Sequence, residues 1–205
     1  MIFLASKAEI RWHSDAAGNR RVIDAIGSSA EKGTEVTTTH GRTADIRIRP
    51  GEIKDAEAMH GAIQAMGRGL DMAGKVTCTV DDYRRFGFGP DAGFGSLIAE
   101  VEGEFAGLCL FFPIFSTWRG RPGVFVQDLY VGDRFRGLGI GERLMREVAS
   151  WSRARGGDYL RLEVDVENEP AQRLYQRLGI TWQTKDRAHA AYGEAFVALT
   201  EGLKA

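Results

Sequence analysis

Apolar and polar residues alternate along the chain with two different periods, and the change of period predicts where strands and helices lie. In Ala44–Arg49 isoleucines alternate with charged residues, as they do in a half-buried strand. From Ile53 to Met66 apolar residues instead recur every three or four positions, which predicts a helix. A second short helix is predicted over Asp81–Phe86. The pattern therefore begins with a strand followed by two helices.

Three strand-like runs come next in the sequence. They are Ser96–Val101, Glu104–Phe112 and Val124–Val131. Glu102–Gly103 separates the first two runs and is predicted to form a hairpin turn. Pro113–Gly123 carries tryptophan, glycine and proline, and is predicted to be a loop. The middle of the chain is therefore predicted to be rich in hairpin-connected strands.

Helical and strand patterns alternate again in the last third of the chain. A stripe of apolar residues predicts a helix over Gly139–Arg153, and strict alternation predicts a strand over Tyr159–Val166. A helix is predicted over Pro170–Leu178, because proline favours the first turn and Gly179 can end it. A final strand is predicted over Glu194–Leu199. The whole pattern indicates a mixed α/β domain.

The amino-acid composition indicates which class of protein the chain belongs to. The chain has 205 residues, 43% hydrophobic and 27% charged, which fits one globular domain over residues 45–205. Residues 1–44 lack a sustained period and are predicted to be a poorly ordered N-terminal extension. A net charge of -1 argues against a nucleic-acid partner, and no apolar run is long enough to predict a membrane span.

Neither the cysteines nor the histidines have the spacing of metal ligands. Cys78 and Cys109 occur in unrelated contexts, and the four histidines are scattered, so no metal is expected. Two isolated cysteines indicate a reduced, cytoplasmic protein, and Cys109 lies in a strand pattern typical of core residues.

The segment Arg136–Gly141, which reads Arg-Gly-Leu-Gly-Ile-Gly, follows a predicted strand and opens an amphipathic helix. Glycines allow backbone N–H groups to approach an anion closely, and a helix N-terminus adds partial positive charge. A pyrophosphate needs both features. A glycine-rich turn without a ligand is the alternative, and the spacing does not match a dinucleotide-binding fold.

A second informative segment begins at Asn168, which can cap the helix that follows. Tyr175 comes seven residues later, which places it two helical turns away on the same side of that helix. The alternative is structural: Asn168 caps the helix and Tyr175 packs into the core.

Together the two segments resemble the GNAT superfamily of N-acetyltransferases, and the resemblance extends from about Asp45 to Leu199. Within that superfamily, Gly87–Pro90 and Phe111–Val131 look like diamine (spermidine/spermine) acetyltransferases. The resemblance implies the GNAT fold, an α/β architecture with a mixed central sheet whose central strands splay apart between flanking helices. It also implies acetyl-coenzyme A as cosubstrate, a small-molecule primary amine as acceptor, direct attack of the amine, and a homodimer.

Three other activities remain open on the sequence alone. One is acetylation of a protein N-terminus or lysine, and another is a toxin that acetylates aminoacyl-tRNA, which the near-zero net charge disfavours. The third is a coenzyme A sensor without catalysis, which retention of Tyr175 disfavours.

The resemblance also implies a set of residues that contact the cofactor. The pantetheine arm would pair with one strand, the pyrophosphate would lie on the glycine-rich turn, and the helix after Asn168 would complete the site. The residues are Leu129, Tyr130 and Val131, then Arg136, Gly137, Leu138, Gly139, Ile140, Gly141 and Glu142, and finally Asn168, Ala171 and Tyr175.

Catalytic and acceptor-binding roles follow from the same resemblance. Tyr175 would act as general acid on the departing thiolate. The diamine relatives usually carry glutamate where this chain has Gln127, so Asp128 is the alternative base, although strand alternation predicts that it faces away from Gln127. Trp118 and Glu194 are the other candidates for the acceptor site. A structural role is equally open for Asp128, and Trp118 is expected to anchor its loop on the core.

Overall fold

The computed structural model describes residues 45–185 and 187–201, which form two compact units divided between Asp165 and Val166. The first unit contains β1 (Ile46–Pro50), α1 (Ala56–Gly69), α2 (Val80–Phe86), β2 (Gly95–Val101), β3 (Glu104–Ser116), β4 (Arg121–Val131), α3 (Ile140–Arg153) and β5 (Leu160–Leu162). The second unit contains α4 (Glu169–Arg177) and α5 (Gly193–Glu201). The predicted extension, residues 1–44, lies outside the described residues.

The first unit is built on a five-stranded mixed sheet with the order β1-β2-β3-β4-β5. Strands β1 to β4 pair with one another in antiparallel fashion, whereas β5 is parallel to β4. The turn between β2 and β3 lies at Glu102 and Gly103, whose φ angles are 52° and 81°. Two successive positive φ angles match the twist of a tight hairpin. The predicted hairpin turn and mixed sheet are therefore confirmed.

Helices α1 and α2 cover one face of this sheet. Leu108 and Leu110 of β3 point to this face because they pack in the same cluster as α1 and α2 residues. The buried members of the cluster are Ala56, Met59, Ala62, Tyr83, Ile98, Leu108 and Leu110.

Helix α3 covers the opposite face. Its apolar stripe is buried, and Trp151 packs edge-on against Phe111 of β3 with 4.7 Å between ring centroids. Phe111 follows Leu110 directly, so the two side chains leave opposite faces of the sheet. The predicted amphipathic helix therefore packs where its stripe requires.

A buried ion-pair network joins β1 to the start of α1. The Arg49 guanidinium donates to both carboxylate oxygens of Asp55, at 2.6 and 2.8 Å, and to Glu100 at 2.8 Å. Asp55 is only 8% exposed, and its carboxylate also accepts from the Glu52 backbone N–H at 2.7 Å. Burial opposes ionisation, but these hydrogen bonds lower the pKa of Asp55 below its usual value.

Three predicted elements differ from the structure. The predicted loop Pro113–Gly123 is mostly strand, because β3 continues to Ser116 and β4 begins at Arg121. The predicted strand Tyr159–Val166 forms only over β5, because its pairing with β4 stops at Val126. The predicted strand Glu194–Leu199 is wrong: these residues belong to α5. A short apolar run fits either element, and alanine, leucine and glutamate favour the helix.

We predict that Arg49→Met lowers the free energy of unfolding by about 3 kcal/mol, because it leaves two mostly buried carboxylates without their cation. Since the pKa of Asp55 is lowered, the contribution is present above about pH 4 and is lost as the pH falls further. Urea unfolding at pH 7 and at low pH measures it. Arg134→Met, which breaks the exposed pair with Glu104, is the matched control and should change stability by less than about 1 kcal/mol. Equal effects of the two substitutions would contradict the assignment.

Candidate functional site

Strand β4 has one edge that is paired along its whole length and one that is not. On one side it pairs with β3 from Arg121 to Val131. On the other side it pairs with β5 only from Val124 to Val126. Among the described residues, no strand pairs with that second edge from Gln127 to Val131. Backbone N–H and C=O groups along this open edge can therefore bind an extended ligand as an added strand would.

A β-bulge at Gln127 sets the direction of the side chains beside the open edge. Leu110 pairs with Asp128 but Phe111 pairs with Val126, so Gln127 is the extra residue on β4. Asp128 therefore lies on the same face as Leu110, the face covered by α1 and α2. Alternation counted from Val126 places Gln127 on this face as well. The prediction that Asp128 faces away from Gln127 is wrong, because it assumed an unbroken strand.

The Asp128 carboxylate lies in an apolar and uncompensated environment. Its side chain is half-buried, and no N–H or O–H of the described residues donates to it. Burial alone raises the pKa of Asp128 to about 6. The carboxylate is therefore ionised above that pH, and it can accept a proton near neutrality better than an ordinary aspartate can.

The N-terminus of α3 presents a row of backbone N–H groups with no protein acceptor. None of the N–H groups from Gly137 to Glu142 donates to a carbonyl or side chain of the described residues. The next N–H, that of Arg143, closes the first helical turn on the Gly139 carbonyl at 3.1 Å. Free donors at the start of a 14-residue helix form a site for a diphosphate or similar anion.

Two glycines give this turn its shape. Gly137 and Gly139 have φ angles of 81° and 76°, a region that residues with a Cβ adopt only at a cost. Open space surrounds the position that a Cβ would take at either residue. The flanking charges are engaged, since Arg136 pairs with Asp133 at 2.7 Å and Glu142 pairs with Arg146 at 2.8 Å. Leu138 is exposed, and the Ile140 side chain anchors the helix start in the core.

A cavity of about 460 Å³ opens beside the end of β4 on the face that carries Asp128. Small residues of α1 and three aromatic rings line it, together with the segment after β4. These lining residues include Ala58, Gly61, Ala62, Phe105, Tyr130 and Phe135. The α1 face of β4 therefore has room for a bound molecule.

The second unit contains the other segment that the sequence singled out. The Asn168 side chain caps α4 and accepts a hydrogen bond from the Ala171 N–H at 3.2 Å, as predicted. Tyr175 lies two turns along α4 and is half-buried. Glu194 lies in the first turn of helix α5 and is exposed, so its predicted position on a strand is wrong. The contact of these four residues with a ligand stays a prediction.

Trp118 lies in the turn between β3 and β4 and is 83% exposed. The expectation that it anchors this turn on the core is therefore wrong. A place in the acceptor site stays a prediction. Cys109 is fully buried, which confirms its assignment to the core.

Sequence reasoning missed a group of polar residues that pack together at α1 and α2. Tyr83 is 7% exposed, and its hydroxyl lies 3.3 Å from the Cys78 sulfur. The His60 ring lies 6.0 Å from the Tyr83 ring, and its Nδ1 is buried without a partner among the described residues. No motif marks these residues, because they meet only through packing.

In the described part of the chain, no helix is long and apolar enough to cross a membrane.

Comparison with known proteins finds acetyltransferases both by family pattern and by sequence identity. The sequence pattern of the Acetyltransferase (GNAT) family matches residues 70–180. The chain is 32% identical over 167 residues to the thialysine N-epsilon-acetyltransferase of Mus musculus, which covers 76% of this chain and 98% of that protein. It is 31% identical over 173 residues to the streptothricin acetyltransferase of Streptomyces lavendulae, covering 75% and 89%.

Solved structures share the fold at lower identity. An integron cassette protein from V. cholerae superposes with a TM-score of 0.66 at 18% identity, covering 76% of this chain and 98% of that one. An aminoglycoside N-acetyltransferase in complex with CoA superposes with a TM-score of 0.59 at 20% identity, covering 76% and 99%. At such identities the likeness supports the mixed sheet and its flanking helices alone.

Proposed function

The chain belongs to the GNAT acetyltransferase family, and we propose that it transfers the acetyl group of acetyl-coenzyme A to the primary amine of a small molecule. The observation that carries this proposal is the row of free N–H groups from Gly137 to Glu142 at the end of an open strand edge. A pyrophosphate on that row directs the attached pantetheine arm along Leu129–Val131 as an added strand. Membership of the acetyltransferase family supports the same cosubstrate.

The relatives support a small-molecule acceptor. Two of them are named for acetylation of thialysine at N-epsilon and for acetylation of streptothricin. The acceptor side of this site also differs from what a polyamine, with its several ammonium groups, would need. Gln127 is neutral, and Asp128 is the one acidic residue of β4. We therefore place a primary amine at Gln127 and Asp128, with Trp118 and Glu194 as further candidates for acceptor contacts.

Asp128 acts in this proposal as the base that accepts the proton of the amine. A primary amine with a pKa near 10.4 is neutral in only about one molecule in 2,500 at pH 7. A nearby carboxylate gives this proton a local acceptor and so speeds its removal, although the free-energy cost of forming the neutral amine remains. The bulge helps because it turns Gln127 and Asp128 to the same face, where one side chain can orient the nitrogen and the other can deprotonate it.

Bound acetyl-coenzyme A supplies a thioester whose carbonyl carbon the neutral amine attacks directly. Backbone N–H groups of β4 near Leu129 stabilise the developing oxyanion. Tyr175 then donates its hydroxyl proton to the sulfur as the carbon–sulfur bond breaks, and the proton that the attacking nitrogen loses restores the neutral Tyr175 hydroxyl. The Cys78 sulfur is hydrogen-bonded to the Tyr83 hydroxyl, and Cys109 is buried. We therefore assign neither cysteine as a covalent nucleophile.

We further propose that the enzyme acts in the cytoplasm as a homodimer, with residues 45–205 as the catalytic domain. The two cysteines support a reducing compartment, since both are free thiols. The dimer rests on the resemblance alone.

The experiment that tests the proposed function is thiol release from acetyl-coenzyme A across a panel of small primary amines, with mass spectrometry of each amine. We expect release matched by acetylated amine for at least one member, and a rate that rises as the pH passes about 6, where Asp128 ionises. A protein N-terminus, a lysine peptide and an aminoacyl-tRNA are the competing acceptors. Transfer to one of these and to no small amine would contradict the proposal.

Tyr175→Phe should lower the turnover rate by about 100-fold, a loss of about 2.7 kcal/mol in transition-state stabilisation, because the leaving thiolate loses its proton donor. Acetyl-coenzyme A affinity and melting temperature should hardly change, since the ring is kept. Single-turnover kinetics and calorimetry measure the two effects. Normal turnover with a lowered melting temperature would contradict this role and show that Tyr175 is structural.

A further inference from the structure

An aromatic surface adjoins the amine position on the α1 and α2 face of the sheet. Phe125 lies two residues before Gln127 on β4, so both side chains leave this face. Phe125 pairs with Phe112 of β3, whose ring packs edge-on against Phe94 with 6.4 Å between ring centroids. Phe125 is half-buried and Gln127 is exposed. The surface next to the amine position is therefore apolar and partly accessible.

Strand β5 places a cation beside this aromatic surface. Arg161 is the register partner of Phe125 in the parallel pair of β5 with β4, and register partners on neighbouring strands point to the same face. Its neighbours Leu160 and Leu162 are half-buried and point to the opposite face, whereas Arg161 is exposed. A guanidinium has five N–H donors in a planar fork, so it can bind a carboxylate in addition to its other contacts.

Gln127 and Arg161 lie about as far apart as the two ends of a basic amino acid. Arg161 lies one strand, about 4.8 Å, across from Phe125, and Gln127 lies two residues, about 6.6 Å, along β4. The Cα atoms of Gln127 and Arg161 are therefore about 8 Å apart. Six bonds separate the side-chain nitrogen of lysine from its carboxyl carbon, and six bonds of extended chain span about 7 Å.

We propose that Arg161 binds the carboxylate of the acceptor, which makes the acceptor an amino acid that is acetylated on its side-chain amine. This assignment rests on the proposed function, because it takes Gln127 and Asp128 as the position of the reacting nitrogen. The methylene groups between the two ends pack on Phe125. A diamine of the same length has no carboxylate for the guanidinium to bind, so Arg161 selects against it.

Competition between lysine and cadaverine, which is lysine without its carboxylate, tests this assignment on the full chain. We expect a higher kcat/KM for lysine, with the acetyl group on the side-chain nitrogen, as located by tandem mass spectrometry. In Arg161→Gln the ratio of the two kcat/KM values should fall by at least about tenfold, because a charge-assisted hydrogen bond is lost. The matched control is Arg153→Gln, which removes an exposed arginine of α3 on the opposite face and should leave the ratio unchanged.

Three results would overturn the assignment: an unchanged ratio in Arg161→Gln, a preference of the unaltered enzyme for cadaverine, or acetylation of the α-amine of lysine. If neither compound is acetylated, calorimetry with lysine in the presence of coenzyme A decides. Binding that weakens in Arg161→Gln retains the carboxylate site, whereas absent or equal binding rejects it. Transfer to no amine at all rejects the proposed function whatever the calorimetry shows, so the two failures are distinguishable.

Discussion

The unequal pairing of β4 is the constraint on which the rest of the site depends. Antiparallel pairing with β3 fixes this strand over eleven residues, while β5 pairs with only three of them. The bulge at Gln127 stands where the β5 pairing ends. An open polar edge inside a covered sheet costs free energy unless a ligand completes it. Helix α3 begins nine residues after β4 ends, and in the proposed function one elongated ligand satisfies both the open edge and the free N–H groups of α3.

The bulge also determines which side chains of β4 point toward α1 and α2. One extra residue turns Gln127 and Asp128 to the same side and places the carboxylate against an apolar cluster. Burial there raises the pKa of Asp128 to about 6, which suits the proton transfer that we propose for it near neutrality. Tyr83 belongs to the same cluster, and Cys78 packs against it.

The sequence predicted most helices and strands of the first unit, because each has a strong period or a capping residue. The Gly137 and Gly139 turn and the Asn168 cap follow from local rules, and both formed as predicted. The direction of Asp128 could not be predicted, since a bulge appears only when two strands pair. The Tyr83 contacts likewise arise from packing between distant segments. In Glu194–Leu199 a helix formed where a strand was predicted, since six apolar and helix-favouring residues carry no decisive period.

The central claim is that the α3 N-terminus binds the pyrophosphate of acetyl-coenzyme A, and calorimetry on a pair of Gly139 variants tests it most directly. Asparagine and aspartate have the same shape and both tolerate the positive φ at this position. We expect Gly139→Asn to retain measurable affinity and Gly139→Asp to lose at least about tenfold more, because its charge repels the phosphates. Removing the phosphates from the ligand, as in acetyl-pantetheine, should abolish this difference. Equal affinity of the two variants for acetyl-coenzyme A would contradict the account.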